Sequence, residues 1–247
     1  MEWLQSVGDY FYNLLIYQDR YMTILKGLGN TLVIAAAAAV IGISLGMLVA
    51  MIKYFCKDKK ALRPLEWICN MYVTAIRGTP VMVQLFIWSL VILASWKNAL
   101  PIACIGFGFN SGAYVAEIIR AGIAAVDPGQ EEASRSLGLS KGATMRYIIM
   151  PQAIKNILPA LGNEFIVLLK ETSVAGYIAV NDLTRAGSII KTVTYDGNIY
   201  FVIALIYLVM VMGLTKLLRL LERRLAKSDK GSGPEKGIWR SPGTKRH

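Results

Sequence analysis

Nine residues carry the binding chemistry this sequence offers, and all lie in otherwise apolar stretches: Thr74, Arg77, Gly78, Thr79, Gln84, Asn110, Glu164, Lys170 and Glu171. A cation beside hydroxyl, amide and backbone N–H groups suits a carboxylate; an isolated Glu suits an ammonium. Arg77, Thr79 and Gln84 could serve the first need, and Glu164 or Glu171 the second. A structural alternative stands beside this: Arg77 pairs permanently with Glu164, or Lys170 with Glu171, and merely holds helices together. Catalytic constellations are poorly supplied. The single histidine is the last residue, His247, which argues against His-based triads and His-ligated metals within the fold. Cys56, Cys69 and Cys104 lack metal or redox spacing, and no G-x-x-x-x-G-K-[ST] phosphate loop occurs.

The elements that hold these residues are membrane helices. Of 247 residues, 55% are hydrophobic and 17% charged, against roughly 25% charged in soluble domains. Spans of about 20 apolar residues are predicted at 31–52, 68–95, 98–116, 157 to about 179, and 197–215. The fourth is weakened by Glu164, Lys170 and Glu171. Lys and Arg concentrate in segments 53–66 and 120–155 and in the tail from Lys216; few lie in the other connections. The positive-inside rule then places the N-terminus outside and the C-terminus in the cytoplasm. The net charge of +11 is thereby explained by topology, without nucleic acid. The first 30 residues, rich in Trp and Tyr and lacking the basic region of a signal peptide, read as an interfacial amphipathic segment or as an ordinary aromatic belt. Residues 226–247 read as a basic, disordered cytoplasmic tail.

Depth along a helix, at ~1.5 Å per residue, puts Arg77, Asn110 and Glu164 well inside the bilayer. Charges there usually face an interior path or a partner. The run Thr74-Ala75-Ile76-Arg77-Gly78-Thr79-Pro80 predicts a broken helix, because Pro80 removes a donor and Gly78 loosens the turn. Broken midplane helices expose backbone groups to substrates.

One polar stretch interrupts the apolar pattern. Asp127-Pro128-Gly129-Gln130 is a helix start with a capping-box pattern. Leu137-Gly138 is a stop with a left-handed glycine. Ser140 can cap a second helix, limited by Pro151. A DNA-binding helix-turn-helix is disfavoured because membrane spans tether both ends. A docking knob for a cytoplasmic partner and a merely structured loop remain.

The stretch "EEASRSLGLSKGATMRYIIMPQA" resembles the EAA loop of ABC-importer permeases, with Glu132, Ala133, Gly138 and Pro151 on that motif's spacing. "AIRGTPVMVQ", "FNSGAYVAEIIRAGI" and "LGNEFIVLLKETS" resemble the same family, the polar amino acid importers of the histidine, glutamine and arginine type. Glu-Glu-Ala-Ser stands here where Glu-Ala-Ala is commoner. The resemblance implies an all-α integral membrane protein with five transmembrane helices and a cytoplasmic coupling loop at about 124–151, within a transmembrane domain over 31–225. It implies that Glu131, Glu132, Ala133, Ser134, Leu137, Gly138 and Leu139 dock a dimer of ABC ATPase subunits, which bind ATP and Mg; no cofactor is expected on this chain. It further implies a second permease subunit, identical or homologous, an external amino acid-binding protein, and a place in the bacterial cytoplasmic membrane. A passive channel would leave the docking loop unexplained, and a membrane enzyme finds little support in these residues.

Overall fold

The computed structural model describes residues 8–56 and 60–230, and every regular element among them is helical. The first long helix, α1 (Arg20–Cys56), contains no proline and runs through five consecutive alanines. It begins well before the apolar window at 31, so the boundary drawn at 30/31 falls inside one continuous helix. Upstream, Gln18 and Asp19 take left-handed φ values of 57° and 54° and turn the chain into a hook. Leu14 of the hook is buried with Leu183, Ile190, Ile199 and Ile203. The Tyr10 hydroxyl donates to the Asp196 carboxylate and accepts from the Asn198 amide.

The predicted break is present. Helix α2 (Arg63–Arg77) ends at Gly78, whose N–H donates to the Thr74 carbonyl at 2.9 Å. Helix α3 (Val81–Ile87) starts after Pro80 and continues as a π-turn over Trp88–Ile92. The two segments are bent by 111°, so 68–95 is no straight rod. A Cβ on Gly78 would lie 2.8 Å from the Thr74 oxygen, a close approach that only glycine tolerates.

Helix α4 (Ala99–Ala124) is capped by Asn98, whose side-chain oxygen accepts from the Leu100 N–H at 3.0 Å. It lies against α1 through small residues. A Cβ on Gly46 would come within 2.6 Å of Val115, and such contacts let two membrane helices pack backbone to backbone. Then follow α5 (Pro128–Ser136), α6 (Lys141–Thr144), a π-turn over Met145–Ile149, and α7 (Met150–Glu171). The expected fourth span reached about residue 179. Instead the α-helix stops at Glu171 and tightens into a 3-10 segment, Thr172–Ile178. The Thr172 hydroxyl donates to the Leu169 carbonyl at 2.7 Å, and Ala179 takes a left-handed φ of 67°. Helix α8 (Leu183–Thr194) and helix α9 (Ile199–Lys230) complete the described chain. The last helix thus extends past 225, where the tail was drawn, and residues 231–247 lie outside the described residues, as do 1–7.

Among the described residues three helical stretches are long and apolar enough to cross a bilayer: Gly8–Cys56, Ala99–Ala124 and Ile199–Arg224; the bent α2–α3 pair would make a fourth. The 22 residues of α7 are long enough but carry Lys155, Glu164, Lys170 and Glu171. The main core joins Ile34 of α1, Leu85 of α3, Phe107 of α4 and Leu168 of α7, and so holds the broken segment against the long helices.

Candidate functional site

Helix α4 organises the polar residues. Asn110, 3% exposed, donates through Nδ2 to Gln84 Oε1 at 2.9 Å. Gln84 Nε2 in turn donates to the Ile76 carbonyl at 2.8 Å, the Thr79 carbonyl at 3.1 Å and Thr79 Oγ1 at 2.8 Å. Thr79 Oγ1 donates to the Ala75 carbonyl at 2.9 Å. The Ala75, Ile76 and Thr79 carbonyls at the helix break are thereby satisfied within the protein, as buried backbone groups require. Gln84 and Asn110 were expected along a substrate path; the structure turns both inward, where they brace the break.

Arg77 is exposed on this chain. Its guanidinium lies 5.4 Å from the Tyr114 ring centroid, within cation–π range. Tyr114 follows Asn110 by four residues and shares its helix face. The considered Arg77–Glu164 ion pair is not formed. Glu164 Oε1 instead accepts from Ser111 Oγ at 3.1 Å and borders a cavity of about 290 Å³ walled by Ala39, Ile43, Val115, Leu161 and Phe165. The considered Lys170–Glu171 pair is not formed either: adjacent residues on a helix diverge, with Lys170 exposed and Glu171 half-buried at the end of α7. Thr74 and Gly78 are exposed beside Arg77. The arrangement therefore offers a cation with an adjacent hydroxyl on one side of α4 and, on another, a carboxylate that has a hydroxyl donor but no ion pair among the described residues. Ser111 and Tyr114 were missed from sequence, although the i+1 and i+4 positions from Asn110 could have flagged them.

The loop after α4 folds as its sequence predicts up to Ser140, but Pro151 does not limit the second helix: it stands in the first turn of α7, which follows α6 and the π-turn without a break. Asp127 caps α5, its carboxylate accepting from the Gly129 N–H at 2.8 Å. Gly138 has φ 86° with open space where a Cβ would be, and Ser140 caps α6 by accepting from the Ala143 N–H at 3.3 Å. Glu131, Glu132, Ala133 and Gly138 are exposed, and Leu139 is half-buried. Leu137 is 83% exposed, an apolar side chain held out from a polar loop. Ser134 departs from the expectation of a docking residue: it is buried, and its hydroxyl donates to the Gln130 carbonyl at 2.6 Å.

Residues 42–227 match the family described as "Binding-protein-dependent transport system inner membrane component". The chain belongs to this family. It is therefore a membrane component of a transport system. The arginine transport system permease protein ArtQ of Bacillus subtilis (strain 168) is 39% identical over 83% of this chain and 94% of its own length. A putative glutamine transport system permease protein, GlnP of Rickettsia felis, is 36% identical over 87% of this chain and 98% of its own. A solved amino acid ABC transporter, crystallised with histidines, superposes with a TM-score of 0.79 and 45% identity, covering 85% of this chain and 98% of that one. The MetNI methionine transporter in inward-facing form shares the fold, with a TM-score of 0.73 at 16% identity.

Proposed function

We propose that the chain is the permease subunit of an ATP-driven importer that carries a polar amino acid across the bacterial cytoplasmic membrane. One observation carries the reading. Relatives matched over nearly their whole length are named as arginine and glutamine permeases. The geometry supports it at both ends. Arg77 and Thr74 offer charge and hydrogen bonding to a substrate carboxylate, and Glu164 offers an acceptor to an ammonium; Lys170 and Glu171 stand nearer the outer end of α7. Exposed Leu137, Glu131 and Glu132 on the capped helix α5 offer a partner a firm handle.

The topology proposed has five spans, with α7 as the span that carries the polar groups, the N-terminus outside and the C-terminus in the cytoplasm. The transmembrane unit runs from Arg20, at the start of α1, into α9, with its coupling loop at about 124–151. Five spans are few for a complete pathway, so a second permease chain faces this one. ATPase subunits, holding ATP and Mg, grip the α5 helices of the pair. Closure of the ATPases draws these helices together and opens the outer side by rigid-body rocking. A binding protein delivers the amino acid from outside. The test is uptake by proteoliposomes containing permease, ATPase and binding protein. Uptake that needs ATP and all three components is expected; flux without ATP would mark a channel and overturn the reading.

A further inference from the structure

One exposed face of α2 is polar, although Leu65, Trp67, Ile68 and Met71 leave the rest of its exposed surface apolar. Glu66, Asn70, Thr74 and Arg77 recur at steps of four, four and three residues. At 3.6 residues per turn they fall within about 80° of arc, one face of the helix. Cys69 and Val73, on the flank of this face, are buried against Val49 and Ala116, and the opposite side carries Leu65 and Ile68, exposed and apolar. Asn70, Thr74 and Arg77 are exposed and Glu66 is half-buried. No described residue hydrogen-bonds the Asn70 carboxamide. Helix α9 is the contrast: its exposed face, from Phe201 through Leu205 and Val209 to Met212, is wholly apolar and fit for lipid. A row containing a carboxylate, an amide and a guanidinium is not, because hydrocarbon leaves such groups without partners.

The length of the row fixes what it can do. From Arg77 to Glu66 is eleven residues, or ~16 Å of helix, which is about half of a ~30 Å bilayer core. The row thus starts at the break and reaches the membrane surface on the Arg63 side. Across from Arg77 stands Tyr114, and Glu117 lies one turn further toward the same surface, ion-paired with Arg120. Arg77 of α2 and Tyr114 of α4 therefore face one another, and Glu66, Asn70 and Glu117 lie further along the same half of the membrane.

We infer that Asn70 and Glu66 line the cytoplasmic half of the substrate route, as relay groups for the charged ends of an amino acid leaving Arg77. The inference rests on the proposed import function and extends the site from the break to the inner mouth. Asn70 can donate to a carboxylate and accept from an ammonium, and the Glu66 carboxylate can only accept, so beyond Arg77 these two guide a zwitterion or a cation and disfavour an anion.

The test uses the whole permease–ATPase–binding protein complex in inside-out vesicles. Single cysteines replace Glu66, Asn70, Ile68 or Met71 in a chain lacking Cys56, Cys69 and Cys104, and a charged, membrane-impermeant methanethiosulfonate is added. Only a thiolate in water reacts, so positions 66 and 70 should label roughly tenfold faster than 68 and 71 without ATP, and slow when ATP and vanadate trap the closed ATPase. Equal labelling at all four positions, or labelling of 66 and 70 indifferent to the trap, overturns the inference. Asn70→Leu in the otherwise native chain is the companion. Losing one substrate hydrogen bond should cut uptake roughly tenfold with ATPase association and folded yield unchanged; unaltered uptake, or loss of folding alone, overturns the relay role. If the parent complex shows no ATP-dependent uptake, the import reading itself fails. If it does and the row is unlabelled, only this inference fails.

Discussion

Asn110 and Gln84 share a buried hydrogen bond of 2.9 Å, and that bond ties α4 to the break between α2 and α3. Gln84→Leu removes the donor that satisfies Ile76 and Thr79 and strands the Asn110 amide. Leaving a buried polar group unpaired costs about 1–3 kcal/mol. Gln84→Leu is therefore expected to lower the melting temperature in detergent. An added Asn110→Leu should recover part of the loss, since the two sites are coupled.

Arg77 stacks on Tyr114 and makes no pair with Glu164. Arg77→Met should abolish uptake while ATPase association survives, and adding Glu164→Met should rescue neither stability nor transport. Tyr114→Phe keeps the ring and should keep uptake. Tyr114→Leu forfeits a contact of about 0.5–2 kcal/mol and should raise the substrate concentration for half-maximal uptake. Full uptake by Arg77→Met would remove that residue from the route.

At Gly138 the obstacle to a side chain is backbone conformation, for nothing lies where a Cβ would sit. A β-branched residue there pays roughly 1–2 kcal/mol for its left-handed φ. Gly138→Val should leave the protein in the membrane and weaken ATPase association. Leu137→Asp should do the same without destabilising the chain, because Leu137 packs against so little of it. Co-purification of the ATPase measures both.

Topology is open to labelling from each side. A cysteine at exposed position 97 should react with an impermeant reagent from outside, and one at position 142, where open space surrounds Gly142, only after permeabilisation. The reverse pattern would refute the five-span arrangement.

Acid should loosen the N-terminal hook. The Tyr10 hydroxyl, with the Asn198 N–H, holds the Asp196 carboxyl below its usual range. A depressed folded value stabilises the clasp above the ordinary carboxylate range, and this is lost as pH falls through the depressed value. Proteolysis near residues 8–19 should accelerate in acid, and Asp196→Asn should abolish that pH dependence.

Local signals were legible in the sequence. Asp127, Pro128, Gly138 and Ser140 each govern one turn of backbone, and all do as their types predict. The break at Gly78–Pro80 was readable for the same reason. Partners were not. Whether Arg77 meets Glu164 or Tyr114 depends on how α4 is rotated, which the close contacts at Gly42 and Gly46 set and no spacing along the chain reveals. Gln84 and Asn110 looked like lining residues because an amide in an apolar stretch can serve a substrate or a broken helix; the 111° bend made the second demand. The end of α7 was misjudged because residues 174–178 carry no charge and stay mostly apolar while the hydroxyl of Thr172 tightens the backbone before them.

Helix α4 ends at Ala124 and α5 begins at Pro128, with only residues 125–127 between them. The connection has little slack: the Val126 N–H donates to the Ile123 carbonyl at 3.2 Å, and the Gln130 N–H to that of Asp127 at 3.0 Å. Asn110, Ser111 and Tyr114 sit further back on the same rod, so their contacts with Gln84, Glu164 and Arg77 ride on it together. The rod from Asn110 to its end is ~21 Å long. If α5 is the docking helix proposed above, the rod is a crankshaft and α5 its handle: a tug on the handle must turn or slide all three polar contacts at once. A flexible insert at residues 125–127 would act as a slipping clutch, leaving a permease that still holds its ATPase and wastes the stroke.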